Sequence, residues 1–506
     1  MKKKHIILAL STVFMVPFTI LGTNKPQKLN FVIINIDDLG YGDIGPYGSK
    51  INRTPNIDRM AAEGRLLTSY YAAPLCSPSR ASLMTGCYPK RVLPIPTVLF
   101  PVYDIGLAPE EITVAEILKS VGYSTCIVGK WHLGDQPEML PTRQGFDEFF
   151  GLPYSNDMGP ESDGTKSNFG DPLPSTPMNP QPPLPLLRNE KVIKRVLATD
   201  QTHLVTMYTK EAIRFIREHK KVPFFLYLAH NAVHFPFYPG IKFRGKSANG
   251  LYGDWVEEMD WSVGEVMKSL QTYGIAKNTL VIFTSDNGAT PRGVNLPLRG
   301  YKFSTWEGGL RVPTIVWWPG MVPAGTSSDA ICGMFDILPT FAALSGAKVP
   351  DDRKIDGADI CSIITGDRGF PRPHQFFFYF AGLQLQAVRD SVWKLVLPHD
   401  NTRKISKSKT TSSAEDENSY QLFNLKTDIG ETTNIVSQYP QIVERLKKVV
   451  LEMDDDLGIR GIGSGVRPMG KVMNPQPLIG QDGKARSGFE SKTIAQPKKS
   501  ISQNQK

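Results

Sequence analysis

Two aspartates, Asp37 and Asp38, follow the apolar run FVIINI, and an acid–amide pair, Asp286 and Asn287, follows TLVIFTS. Both pairs offer hard oxygen donors, which suit Ca2+ or Mg2+ better than a thiophilic metal. Taken singly, either pair could equally be a turn or a helix cap at the end of a strand. Taken together they reinforce each other, because one shared cation would relieve the repulsion of three gathered carboxylates. Lys130 and His132 follow STCIVG, and His230 and His234 follow PFFLYLA. In an extended GKWHLGD, Lys130 and His132 fall on one side and Trp131 on the other. Each of these, like Lys302 in LRGYKFSTWEGGLRVP, could also be an ordinary surface lysine or loop histidine. His203, in a helical pattern, and His219, beside Lys220 and Lys221, read as helix surface, and His5 belongs to the N-terminal leader.

The densest cluster is PLCSPSRASLMTG, residues 74–86, where a cysteine stands among prolines, serines and an arginine. A cysteine is packing, a metal thiolate, half of a disulfide or a nucleophile, and each role needs different company. Cys126 and Cys332 lie in apolar runs and read as packing, and no CxxC spacing supports structural zinc. Five cysteines are too few for a disulfide scaffold. Cys76, with polar neighbours, is the exception. Ser79 to Thr85 can form a short helix ended by Gly86, which sets Cys76 near a helix N-terminus, where backbone N–H groups favour anions.

The elements that must position these groups are short, β-branched runs alternating with amphipathic stretches. FVIINI, STCIVG, PFFLYLA, TLVIFTS and TIVWW read as strands buried on both faces, and EEITVAEILKSVG and TDQTHLVTMYTKEAIRFIREH as helices. The alternation predicts an α/β fold, a large, mostly parallel sheet sandwiched by helices. In such sheets functional groups gather at the carboxyl ends of strands, where the polar residues above fall. Residues 159–187 are Pro-, Ser- and Asn-rich and read as a long loop near the site. After TGDRGFPRPH the pattern changes to QFFFYFAG, LQAVRDSVWKLVL and YQLFNL, followed by a helix over QYPQIVERLKKVVLEMDD. The expected organisation is a leader over 1–22, a catalytic domain over 28–368, a smaller α+β domain over 369–460, and a basic, disordered tail over 461–506. The loop KSKTTSSAEDENS within the smaller domain reads as flexible.

At 506 residues the chain exceeds one ordinary core, and its 41% hydrophobic and 21% charged content is that of a soluble globular protein. The net charge of +9 would suggest nucleic acid, but Lys2, Lys3, Lys4 and the tail account for it, leaving the body formally neutral. Nucleic acid is therefore excluded as a partner of the folded part. MKKKHIILALSTVFMVPFTILG joins a lysine-rich head to a short apolar run, which predicts a cleaved secretory signal, no stable membrane span, and a periplasmic or secreted protein.

CSPSRASLMTG matches the sulfatase signature C-x-P-S-R-x-x-L-x-T-G at every fixed position, and the chain resembles the type I, arylsulfatase A-like sulfatases of the alkaline phosphatase-like superfamily. NIDDLGYGDIGPYG, GKWHLG, GLPYSNDMGP, LYLAHNAVHFP, FTSDNGA and KFSTWEGGLRVP support the resemblance in the family's order, and LFNLKTDIGETTN resembles its C-terminal domain motif. The resemblance implies that Cys76 is oxidised before folding to Cα-formylglycine (3-oxoalanine) by a formylglycine-generating or sulfatase-maturing enzyme that reads Pro78 and Arg80. One hydroxyl of the hydrated aldehyde would attack sulfur, and the second would expel sulfate. It implies Ca2+, with Mg2+ less suited, on Asp37, Asp38, Asp286, Asn287 and the modified Cys76. By the same resemblance Asp286 could take the diol proton, Arg80 steadies the hydrated aldehyde, Lys130 and Lys302 bind sulfate, His132 promotes elimination, and His234 with Lys302 protonates the leaving oxygen. Ser155 matches a serine near the sulfate, while Asn156 stands where relatives often carry His.

The implied substrate is a sulfated sugar or glycan, with aryl sulfates also cut. Two other readings differ in testable ways: a formylglycine-dependent phosphodiesterase or phosphonate monoester hydrolase of the same superfamily, and a silent glycan-binding protein if Cys76 stays a thiol. A phosphatase would carry a Thr or Ser nucleophile and a second metal set, which the motifs do not offer.

Overall fold

Strand β1 (Asn30–Ile36) sends Phe31 and Ile33 into one apolar cluster and Val32, Ile34 and Ile36 into another, so helices must cover both faces of its sheet. The computed structural model describes residues 28–174, 181–367, 372–399 and 419–491. The leader, all but the last residue of the loop KSKTTSSAEDENS (407–419) and the last fifteen residues of the chain lie outside the described residues.

The main sheet also contains β2 (Arg65–Leu67), β3 (Ser124–Lys130), β4 (Glu148–Leu152), β5 (Pro185–Arg188), β6 (Lys191–Arg195), β7 (Phe224–Ala229), β8 (Thr279–Ser285), β9 (Ile315–Trp317) and β10 (Thr326–Ser328). Its order is β10-β2-β9-β8-β1-β7-β3-β4-β5-β6. The five central strands, β8-β1-β7-β3-β4, are parallel. The TIVWW run, β9, instead pairs antiparallel with β8, so the sheet is mixed at its margins. Helices α1 (Pro55–Glu63), α2 (Cys76–Thr85), α3 (Val114–Ser120), α4 (Leu204–His219), α5 (Gly250–Thr272) and α6 (Ile337–Ser345) belong to this large domain. Among the described residues no helix is long and apolar enough to cross a membrane.

Register gathers the site. Ile36 pairs with Ser285, so Asp37 and Asp286 each begin one residue beyond a matched pair of strand ends. Asn35 and Gly129 both pair with Ala229, so His230 and Lys130 emerge at the same edge. Gly129 is required there: a Cβ on it would lie 1.8 Å from the Ala229 carbonyl oxygen.

The smaller domain is an antiparallel sheet of β11 (Phe377–Ala381), β12 (Gln384–Arg389), β13 (Trp393–Val396) and β14 (Gln421–Asn424), covered by α7 (Pro440–Asp456). LQAVRDSVWKLVL is thus two strands, because Asp390 accepts from the Val392 and Trp393 amides and turns the chain.

The tail departs from expectation. Residues 461–491 are not disordered but strap the large domain. Gly470 and Lys471 pair with Ile105 and Gly106, and Phe489 O accepts from Val192 N at 2.8 Å. Leu478, Ile479 and Phe489 enter the core, and Arg467 Nε meets Glu111 at 2.6 Å. Composition averaged over the whole tail hides its apolar anchors, the adjacent Leu478 and Ile479 and, ten residues on, Phe489.

Candidate active site

Cys76 opens α2, three residues earlier than the Ser79 start read from sequence, because Pro78 fits the first turn of a helix without loss. Its Sγ lies 3.3 Å from Asp37 Oδ1 and 3.3 Å from Lys302 Nζ, and the residue is 1% exposed. Arg80, one turn along, reaches back to the strand ends. Its Nη2 donates to Asp286 Oδ2 at 2.8 Å and its Nη1 to Lys130 O at 2.7 Å, while Nη2 stands 3.6 Å from Asp37 Oδ2. Lys130 Nζ pairs with Asp37 Oδ2 and donates to Ser155 Oγ at 3.2 Å. Lys302 Nζ meets Asp38 Oδ1 at 2.6 Å. Asn287 Nδ2 donates to the same Asp38 oxygen at 2.7 Å.

These contacts set the protonation states. Burial pushes the Asp37 carboxyl up, but Lys130, His234, Arg80 and Lys302 outweigh it and hold Asp37 far below the usual carboxylate range. Burial and the neighbouring Asp37 push Asp286 up instead, with Arg80 opposing. Burial and the nearby Asp286 and Asp37 carboxylates raise the Cys76 thiol well above its ordinary value, so the unmodified side chain stays a neutral thiol. Burial together with Lys130 and Arg80 keeps His132 neutral.

Asp37, Asp38, Cys76 and His234 offer ligand atoms all within 4.8 Å of one another. Asn287 Oδ1 is buried and has no hydrogen-bond partner, although its own amide nitrogen is well engaged. A buried acceptor of this kind costs free energy unless something fills it, and a cation on the Asp37–Asp38–Asp286–Asn287 oxygens would do so.

A family model described as Sulfatase matches residues 29–347, and one described as the C-terminal region of aryl-sulfatase matches residues 372–461. The chain belongs to the sulfatase family. N-acetylgalactosamine-6-sulfatase of Rattus norvegicus is 41% identical over 392 residues, covering 73% of this chain and 71% of the relative. Arylsulfatase A of Homo sapiens is 36% identical over 450 residues, covering 85% and 88%. The crystal structure of Ps i-CgsB in complex with k-i-k-neocarrahexaose is 29% identical with a TM-score of 0.69, over 86% of this chain and 95% of that one. This sulfatase is a sulfuric ester hydrolase, and its sheet and appended small domain are those of the alkaline phosphatase-like fold.

The structure brings Cys76, Arg80, Lys130, Lys302, Asp37, Asp38, Asp286, Asn287, Ser155 and His234 into one cluster. His234 Nδ1 donates to the Phe235 carbonyl at 2.6 Å, which leaves Nε2, 3.7 Å from Asp38 Oδ2, to face the site. His132 differs from its extended reading: its φ is +63°, and its Nε2 meets Leu99 O at 2.9 Å, while Nδ1 is buried without a partner. Asn156 Nδ2 donates to Gln201 Oε1 at 3.0 Å, and its Oδ1 is buried without a partner. His203 is exposed, as expected of helix surface. Cys126 and Cys332 are buried packing, and no disulfide occurs among the described residues.

Sequence reasoning missed Asp157. Burial would raise its carboxyl, but the charges of His234 and Lys166 and a hydrogen bond from Ser155 hold it below the ordinary range. Only its place two residues after Ser155 could have pointed to it.

Proposed function

We propose that this sulfatase cleaves sulfate esters of sugars or glycans through a formylglycine made from Cys76, with Ca2+ held by Asp37, Asp38, Asp286 and Asn287. The observation that carries the reading is Cys76 itself, at the first turn of a buried helix, 3.3 Å from both a carboxylate and a lysine. A neutral thiol is a poor nucleophile and a poor ligand for a hard cation. Oxygen in its place would match every other donor in the cluster. Cys76 and Arg80 are each 1% exposed, so a maturing enzyme that reads them, and supplies the oxidant for the thiol, acts on the chain before it folds.

Charge supports a sulfate ester as substrate. Asp37, Asp38 and Asp286 balance Arg80, Lys130 and Lys302, so a bound divalent cation leaves the pocket with excess positive charge to receive a monoanion. When bound, the cation would polarise a sulfate oxygen and ease deprotonation of an adjacent hydroxyl. The protein's own groups do the rest. Lys130 and Lys302 would offset the charge that gathers on sulfate oxygens, and the N–H groups at the start of α2 favour an anion there. With its Nδ1–H on the Phe235 carbonyl, His234 would hand the departing alcohol oxygen a second ring proton, carried on Nε2. Arg80 fixes Asp286 and the Lys130 carbonyl, and with them the geometry of the pocket.

The glycan reading draws on the carrageenan-type oligosaccharide named with Ps i-CgsB and on the amino-sugar substrate named in the rat relative. The lysine-rich head and apolar run support export of the chain. Mass spectrometry of the tryptic peptide containing Cys76 tests the central point: the active protein should carry an aldehyde there. Full activity with only unmodified thiol would refute it.

A further inference from the structure

The densest set of buried charges outside the site lies where the small domain meets the large one, at the segment that carries Lys302. Glu307 is fully buried and accepts from Tyr71 OH at 2.6 Å, Tyr379 OH at 2.5 Å and Lys394 Nζ at 3.1 Å. Arg311 and Arg389 stand 3.3 and 3.7 Å from Oε2, the oxygen that accepts from Tyr71. Lys394, on β13, is also fully buried, and its Nζ lies 2.8 Å from Thr305 O and 2.7 Å from Glu431 Oε1. Glu431 Oε2 accepts from Glu307 N at 2.7 Å, and the Glu431 carbonyl accepts from Arg299 Nη1 at 2.9 Å. Thr305 Oγ1 donates to Gln386 Oε1 on β12 at 2.9 Å.

The small domain therefore grips residues 299–307 at Arg299, Thr305 and Glu307, and Lys302 lies between the grips. The span between them is under backbone stress. Phe303 has a φ of +77°, which an aromatic residue adopts only when its surroundings hold it there. Its N–H donates to Pro74 O at 3.0 Å, two residues before Cys76, so the strained backbone is what aligns the Lys302 segment with the Cys76 segment. Release of either grip would let Phe303 relax and carry the Lys302 ammonium away from its 3.3 Å approach to Cys76.

We propose that Lys394 is a positioning residue for sulfate-ester hydrolysis, acting through Lys302, so that the small domain is a working part of the active site. The proposal rests on the sulfatase reading of the site. It is tested by a double-mutant cycle of Lys394→Met and Lys302→Ala in the full chain, with hydrolysis of a small aryl sulfate as readout. In the native background Lys394→Met should lower kcat about 100-fold, the scale on which a displacement of about 1 Å acts. In the Lys302→Ala background the same substitution should cost less than about threefold, because the group it positions is gone. Equal losses in both backgrounds, or no loss in the native one, would overturn the proposal.

Should Lys394→Met not fold, Gln386→Met cuts only the Thr305 link and should show the same non-additivity at about tenfold. Hydrogen exchange separates this proposal from the sulfatase reading. If the native protein cleaves no sulfate ester, that reading fails, but the peptide over 299–307 should still exchange at least about tenfold faster in either variant, with β1 and β8 unchanged. Unaltered exchange over 299–307 would refute the clamp by itself.

Discussion

The Cys76 centre and the Glu307–Lys394–Glu431 clamp are both buried clusters of alternating charge, and they differ in what is left over. In the clamp each charged side chain has an opposite partner within 3.7 Å, so that even Glu431 Oε1, which accepts no well-aligned hydrogen bond, lies 2.7 Å from Lys394 Nζ, and the acid at its middle is further held by two tyrosine hydroxyls. In the centre the charges also pair, yet Asn287 Oδ1 and His132 Nδ1 stay buried without a partner. A closed cluster holds geometry; a cluster with unfilled acceptors and donors is built to receive something. The two are joined by one short segment, with Lys302 at the receiving end and Thr305 and Glu307 at the holding end.

On the proposed formylglycine reading the largest effect should come from Cys76→Ser, which would remove the aldehyde from the centre while the clamp stays intact. A serine keeps one hydroxyl, so attack on sulfur remains possible, but it lacks the second hydroxyl that, on this reading, would expel sulfate. The variant should perform at most one turnover and accumulate a stable serine sulfate ester, visible by intact mass alongside alcohol released per enzyme. Sustained turnover with no adduct would mean that water attacks sulfur directly. Next is Asp286→Ala, which strips an oxygen donor and leaves Arg80 without its closest carboxylate. Ca2+ retained per chain, measured by elemental analysis, should fall and aryl sulfate hydrolysis should drop at least about 100-fold, as chelation of the native protein should also cause. Stoichiometric zinc in active protein would count against the calcium assignment.

What could be read from the chain and what could not divide along the same line as the two clusters. The centre was legible because its residues sit at strand ends, where Asp37, Lys130, His234 and Asp286 interrupt apolar runs, and because CSPSRASLMTG carries a rare signature. The clamp was not, because Glu307, Lys394 and Glu431 each look like an ordinary surface charge in sequence, and only the packing of β12 and β13 on the Lys302 segment buries them. The backbone at His132 is illegible for a related reason: nothing in GKWHLGD announces the left-handed conformation that sets its Nε2 on the Leu99 carbonyl. The reading of disorder, a compositional average over 461–506, fails for residues 461–491. Ending the chain after Leu457 should therefore matter more than its composition suggests. It removes Leu478, Ile479 and Phe489 from the core, on the order of 5 kcal/mol in all, and frees Gln136, which accepts from Gln476 N at 3.0 Å in the loop beyond His132. A clear fall in melting temperature is expected; an unchanged one would show the strap to be dispensable.

The smallest effect concerns a third kind of buried charge, one with no salt-bridge partner among the described residues, where the charge of Arg244 only partly opposes burial. Glu258, on α5, is fully buried; its Oε2 accepts from Gly240 N at 2.8 Å and its Oε1 has no partner. Burial pushes its carboxyl up to about 8, against an ordinary value near 4.5. Because the folded value lies above the unfolded one, the stability it contributes is fully present below about pH 4.5 and is lost as pH rises through about 8. Asp43, Asp135 and Asp260, pushed by burial up to about 6, act in the same direction over a narrower window. The carboxyls of Asp37 and Glu307, which their cations hold low, lose their contribution only in acid, outside this range. Glu258→Gln is uncharged in both states, so it should flatten the decline in unfolding free energy between about pH 5 and about pH 8.5, by up to the order of 4 kcal/mol, without abolishing it. Urea unfolding of the two proteins at both pH values decides the matter. A parallel decline in native protein and variant would mean that Glu258 is ionised in the folded state after all, and that a lone buried carboxylate here is tolerated as well as a paired one.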